Sequence, residues 1–222
     1  MPVKPDYIFR IAAPYTKTQA DVLEINTDNA ANLKWKDAYK TFKLRIRDYL
    51  KIRQNGRCAF CRCRVNVGTS HATLEHIVSK TDYSQFQTLS ENIVYCCWVC
   101  NMSKKKRNTL NNPVANKLIQ TFPNTSNGFI IINPYHDDYQ SHIDFLDEVI
   151  IVVNGDSSKG ANTIKFYNLT RPELAEERAR EFKLDQKDLN HQLLSRLTET
   201  TTSQDVVDQI NNIITNMPNW TL

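Results

Sequence analysis

The sequence predicts an α+β protein stapled by a structural metal, and three observations carry that reading. Its six cysteines fall in two tight clusters, at 58, 61 and 63 and at 96, 97 and 100, and nowhere else in 222 residues. Between them lie short strand-like segments in place of helical periodicity. Helix-patterned segments flank the clusters on both sides. Paired Cys-x-x-Cys spacings in a chain without a secretion signal favour metal over disulfides.

Residues 1–32 carry prolines at 2, 5 and 14 and a polar Asn/Asp/Thr stretch, and read as an irregular N-terminal arm. Over 33–54, Trp35, Tyr39, Phe42, Ile46 and Tyr49/Leu50 recur every three or four residues, which predicts an amphipathic helix. Asn55-Gly56 stops it, because glycine accepts the left-handed conformation at a helix end. The knuckle Cys58-Ala-Phe-Cys61 follows. Residues 57–75 read as a short hairpin with Val65–Gly68 and Ala72–Glu75 as arms. Residues 77–91 read as a polar loop, 93–95 as a short strand, and a helix starts near Cys100. Past Pro113, segments 128–133, 142–146, 148–153 and 163–167 look like strands. Thr170 and Pro172 mark a helix start, and helices are expected over about 171–182, 186–198 and 204–216. The organisation expected is an arm (1–32), a core with its preceding basic helix (33–112), and a C-terminal α/β extension (113–222) able to bind a partner.

Charge and hydropathy narrow the function classes. No run of about 18 apolar residues occurs, so no membrane helix is expected. The N-terminus lacks the apolar core of a signal peptide, which predicts a cytoplasmic protein. The net charge of +4 is modest, but between Lys34 and Arg64 there are eleven Lys or Arg and two acids, Asp37 and Asp48. Lys104-Lys105-Lys106-Arg107 forms a second cluster. Positive charge on both sides of the cysteine region suits a phosphate backbone, and Arg57, Arg62, Lys104, Lys105, Lys106 and Arg107 are the candidate nucleic-acid contacts. The plainer reading of the first run is a solvated helix face.

Cys58, Cys61, Cys97 and Cys100 give two C-x2-C pairs separated by 35 residues. Four thiolates close a tetrahedral zinc site with no open position, the mark of a structural centre. Cys63 for Cys61, or Cys96 for Cys97, is the alternative assignment. Between and just after these pairs stand Glu75-His76, Asn92 and Asn101: a carboxylate, an imidazole and two amides. An imidazole takes a proton from water near neutral pH. Carboxylate and amide oxygens suit a hard cation such as Mg²⁺ or Mn²⁺.

These residues resemble the HNH nuclease family. Glu75-His76 matches its acidic-His pair, Asn92 lies sixteen residues on at the central Asn, and Asn101 lies nine further at the final His-or-Asn position. Asn directly after the second cysteine pair, with Lys104 three residues on, also fits. The chain departs from the family in having Glu at 75 and Val78-Ser79-Lys80 where Pro and Ser-Gly are common. The resemblance implies a ββα-metal, treble-clef-like core with structural zinc. It also implies His76 as general base, Asn92 positioning the loop that orients it, Glu75 and Asn101 on one catalytic Mg²⁺ or Mn²⁺, and Lys104 on phosphate. A wider likeness, including Asn133-Pro-Tyr-His-Asp-Asp138 and Leu169–Leu174, extends over most of 35–185. It resembles the HNH proteins of Septu-type and retron-associated anti-phage systems, which implies DNA cleavage controlled by an ABC/SMC-like ATPase partner. RNA such as tRNA as substrate, or a non-catalytic zinc-knuckle nucleic-acid adaptor, are the competing readings. The 133–138 segment with His142 reads as a turn rather than a metal site.

Overall fold

A computed structural model describes residues 10–65, 71–112 and 121–198, with 204 and 208 singly. Among them are five α-helices and two small antiparallel sheets, an α+β arrangement.

Helix α1, Gln19–Ala30, forms within the segment expected to be irregular. A capping box starts it: Thr18 Oγ1 accepts from the Asp21 amide while the Asp21 carboxylate accepts from the Thr18 amide. The polar residues that suggested a loop work between helices instead. Helix α2, Lys40–Arg53, begins later than expected because Tyr39 takes a left-handed φ of 55°. Its N-terminal amides are capped from α1. Glu24 accepts from Thr41 and Phe42, and Asp28 accepts from Tyr39. Phe42, Ile46 and Leu50 form the buried stripe. The helix stops at Asn55 and Gly56, both at positive φ, as the sequence suggests.

The first cysteine knuckle follows, closed by an antiparallel bridge between Arg57 and Arg64. Strand β1, Ala72–His76, was expected to pair with 65–68, of which 66–68 lie outside the described residues. Its partner is β2, Ile93–Cys97, in the register Ala72↔Cys97, Leu74↔Tyr95, His76↔Ile93. The long connection is tolerated because side chains inside it clamp it. Helix α3, Trp98–Lys104, follows β2 without a break, and the Cys97 sulfur caps it by accepting from the Cys100 amide. Gln54, at the end of α2, bonds both the amide and the carbonyl of Tyr95 and so fixes α2 to the hairpin.

The expected strand at 128–133 is absent. Phe129 makes one isolated bridge, to Leu110. Strands β3, Ile143–Leu146, and β4, Ile150–Val153, form a hairpin whose turn residues Asp147 and Glu148 both have positive φ, the primed geometry that matches strand twist. Residues 163–167, expected as a strand, belong to helix α4, Ser158–Tyr167. Ser157 caps it, and Gly160, Thr163 and Tyr167 share its buried face. Gly160 packs so closely that a Cβ there would lie 2.0 Å from the His142 carbonyl oxygen. Helix α5, Pro172–Thr198, is continuous where two helices were expected. The helix expected over 204–216 lies outside the described residues, apart from Gln204 and Asp208, both helical. One hydrophobic cluster runs from Ile11 through Phe42, Tyr95 and Tyr139 to Leu174, so residues from all three expected segments share it. No described helix is long and apolar enough to cross a membrane.

Candidate metal centre and candidate active site

The knuckle after α2 and the β2–α3 junction bring Cys58, Cys61, Cys97 and Cys100 together. Their sulfurs all lie within 4.8 Å of one another, and all four are buried. Tetrahedral zinc at a Zn–S distance of about 2.3 Å requires sulfurs about 3.8 Å apart, and Cys61 and Cys97 are 3.9 Å apart. The four can therefore hold a zinc ion. Cys63 and Cys96 are buried beside this set without joining it. The Cys96 thiol donates to the Cys97 carbonyl at 3.3 Å and lies 3.7 Å from the Cys58 sulfur. Arginines gather around the thiols. Arg171 reaches the Cys100 sulfur at 3.9 Å, and Arg178 of α5 donates to the Cys61 carbonyl. Burial works against the charge of Arg171, but the Cys100, Cys61 and Cys97 sulfurs outweigh it and raise its pKa.

On the far side of the hairpin, β1, β2 and α3 gather the candidate catalytic residues. His76 is 2% exposed. Its Nε2 lies 2.8 Å from the Gln87 carbonyl oxygen. A carbonyl can only accept, so Nε2 carries the proton and Nδ1 carries the lone pair. Nδ1 is buried and, among the described residues, has no hydrogen-bond partner. Trp35 and the imidazole meet edge to face, ring centroids 4.4 Å apart. Burial pushes the imidazole pKa down to about 3, with the Lys80 ammonium acting in the same direction, so the ring is neutral at ordinary pH.

Asn92 is fully buried and clamps the connection. Its Oδ1 accepts from the Val78 amide, and its Nδ2 donates to the Val78 and Phe86 carbonyls. Phe86 precedes Gln87, so this amide holds the loop whose carbonyl orients His76. Gln87 is anchored again through its side chain, which donates to the Tyr39 hydroxyl. Gln87 and Trp35 were not among the sequence candidates. Trp35 read only as part of an apolar helix face, and Gln87 acts through its backbone, which leaves no sequence signal.

Thr73 and Glu75 alternate onto one face of β1, and α3 meets that face. Asn101 Nδ2 donates to Thr73 Oγ1 at 3.1 Å, leaving its amide oxygen for other work. Lys104 Nζ lies 2.7 Å from Glu75 Oε1 and also donates to the His76 carbonyl at 2.6 Å. Burial pushes the Glu75 carboxyl up, opposed by Lys104. Glu75 offers carboxylate oxygens and Asn101 an amide oxygen, donor types that a divalent cation takes.

The basic candidates divide. Lys104 is 1% exposed and serves Glu75, so its ammonium faces inward rather than toward a phosphate. Arg57 is buried in an ion pair with Glu181, and buried Arg62 lies over the Tyr139 ring. Lys105, Lys106 and Arg107 are exposed, with Arg107 also bonded to the Phe166 carbonyl. The 133–142 cluster is a turn. Asn133 bonds the Tyr135 amide, and Asp137 takes the Asn133 amide and the Lys159 ammonium.

No protein-family model matches the chain. Over 157 residues it is 31% identical to the Septu protein PtuB of Bacillus mycoides (strain KBAB4). The match covers 65% of this chain and 52% of that protein, so the chain spans about half the length of the curated relative.

Proposed function

Taking the chain as a relative of a Septu protein, we propose that it is a metal-dependent HNH endonuclease that hydrolyses DNA phosphodiester bonds in anti-phage defence, working with an ABC/SMC-like ATPase. The observation that carries this reading is His76: a buried, neutral imidazole with its Nε2 proton fixed on the Gln87 carbonyl and, among the described residues, an unpartnered Nδ1 lone pair. A base that must take a proton from water needs that lone pair free and held in place. The antiparallel pair β1–β2 running directly into α3, beside four clustered cysteines, supports a ββα-metal core with zinc as its staple.

In this mechanism His76 Nδ1 accepts a proton from the attacking water. Asn92 and Gln87 keep the ring aimed. Glu75 and Asn101 would hold the catalytic cation, and Lys104 fixes the Glu75 carboxylate on β1. A bound Mg²⁺ or Mn²⁺ would supply charge stabilisation for phosphodiester hydrolysis. The products carry a 5′ phosphate.

The test is plasmid cleavage by wild type and His76→Ala, with Mg²⁺ or Mn²⁺ and with EDTA. Metal-dependent nicking or linearisation is expected from the wild type alone, with a drop of about 10²-fold or more in the variant. Equal cleavage by a folded His76→Ala protein removes His76 from the chemistry. Cleavage of RNA but not of DNA, with or without the ATPase, reassigns the substrate.

A further inference from the structure

We propose that Lys80, and not Lys104, is the lysine that contacts the substrate phosphate beside His76; this rests on the nuclease reading above. The two lysines differ in what their ammonium groups already do. Lys104 is buried, with one proton on Glu75 and another on the His76 carbonyl. It cannot reach an external phosphate without breaking both contacts and leaving Glu75 buried and unpaired. Lys80 is partly exposed, and among the described residues its ammonium has no hydrogen-bond or ion-pair partner. It lies 5.9 Å from the centroid of Trp35, the ring set edge to face with His76.

A cation set over an aromatic face is held without consuming its hydrogen-bond donors. All three protons of the Lys80 ammonium therefore remain available to phosphate oxygens, and its long stem is steadied by Trp35. The placement is also electrostatically consistent. A phosphodiester docked against His76 would bring its negative charge into the same neighbourhood. Trp35 is itself held, since Lys43 donates to its carbonyl and lies 5.3 Å from its ring centroid. Trp35 thus links base and cation: it packs on the imidazole and shelves the ammonium. Lys80 stands in the stretch where this chain departs from the HNH pattern, so the motif alone does not point to it.

The experiment measures binding of a short duplex DNA by full-length His76→Ala protein, which cannot cleave it, across a range of salt. Lys80→Gln and Lys80→Arg are added separately to that background. Each phosphate neutralised on duplex DNA contributes about 0.9 to the slope of log K against log salt. Lys80→Gln is expected to weaken binding and to lower that slope by about 0.9, and Lys80→Arg to restore both. In the catalytic background, Lys80→Gln is expected to reduce cleavage and Lys80→Arg to retain it, with unchanged circular dichroism melting. An unaltered slope and unaltered cleavage in Lys80→Gln overturn the assignment while leaving the nuclease reading standing. Failure of the His76→Ala protein with Lys80 intact to bind either DNA or RNA overturns the nuclease reading, and the role of Lys80 with it.

Discussion

At the scale of single residues, the candidate site depends on side chains that hold backbone. Asn92 illustrates how much a buried amide can control. It satisfies the Val78 amide and the carbonyls of Val78 and Phe86, all far from solvent, and the loop it pins supplies the Gln87 carbonyl to His76. Asn92→Ala removes three hydrogen bonds and leaves their partners buried and unpaired, a cost of about 3 kcal/mol. Urea unfolding is expected to show that loss. Nuclease activity is expected to fall further than stability accounts for, because the His76 proton loses its fixed acceptor. An Asn92→Ala protein as stable as wild type would show that the loop holds itself. The family resemblance pointed to Asn92, His76, Glu75 and Asn101 as candidates, and the fold carries Glu75 and His76 on β1, Asn92 just before β2 and Asn101 on α3. Lys104 was legible as a position and misread as a direction: spacing places it one turn past Asn101 without telling inside from outside.

At the scale of elements, α1 and α2 show charge replacing the usual helix caps. α2 has no side-chain cap of its own, and Glu24 and Asp28 of α1 serve instead. Asp21 joins the same pair of helices, accepting from Thr18, Tyr15 and Arg45. Burial alone would raise its pKa, but the hydrogen bonds from Thr18, then Tyr15 and Arg45, outweigh it and bring it down to about 2 from an ordinary 3.8. A depressed folded-state pKa means the stabilisation is full above about pH 4 and disappears as pH falls through 2. Asp21→Asn is therefore expected to cost about 1–2 kcal/mol at pH 7 and almost nothing at pH 2. Thermal melts at the two pH values check this; an equal cost at both would make the role of Asp21 one of packing rather than charge. These helices also show why some elements were hidden in the sequence. The Asn/Asp/Thr content of 26–32 signals a loop locally, and only the partner helix turns those residues into caps. Thr163–Tyr167 has the alternation and β-branching of a strand, yet the cap at Ser157 and the close approach at Gly160 commit it to α4.

At the scale of the whole molecule, the cysteine centre joins parts that lie far apart in sequence. Helix α5 reaches the first knuckle through Arg178, which donates to the Cys61 carbonyl, and Glu181, which bonds Arg57 and the Arg64 amide; Arg171, just ahead of the helix, reaches the Cys100 sulfur. Tyr167, at the end of α4, stacks on Phe60 inside the first knuckle at 3.7 Å between centroids. The cysteine spacing announced the centre, but nothing in the pattern of 170–182 announced that its arginines turn toward it. A zinc tetrathiolate carries net negative charge, and guanidinium groups beside it offset that charge. Loss of the metal would leave the knuckle without its staple and the arginines without their counter-charge. Structural zinc contributes on the order of 10 kcal/mol in small modules, enough to decide whether the β1–β2–α3 unit folds. Chelation is thus expected to loosen α5 together with the knuckles, seen as faster hydrogen exchange across 172–184 and a lower melting temperature, both reversed by added zinc. Arg171→Ala is expected to speed zinc transfer to a competing chelator several-fold, and Arg171→Lys to do so less. If metal analysis confirms a zinc-free protein whose α5 exchanges as slowly as before, the helix is held by its apolar face alone, and the arginines are incidental to the centre.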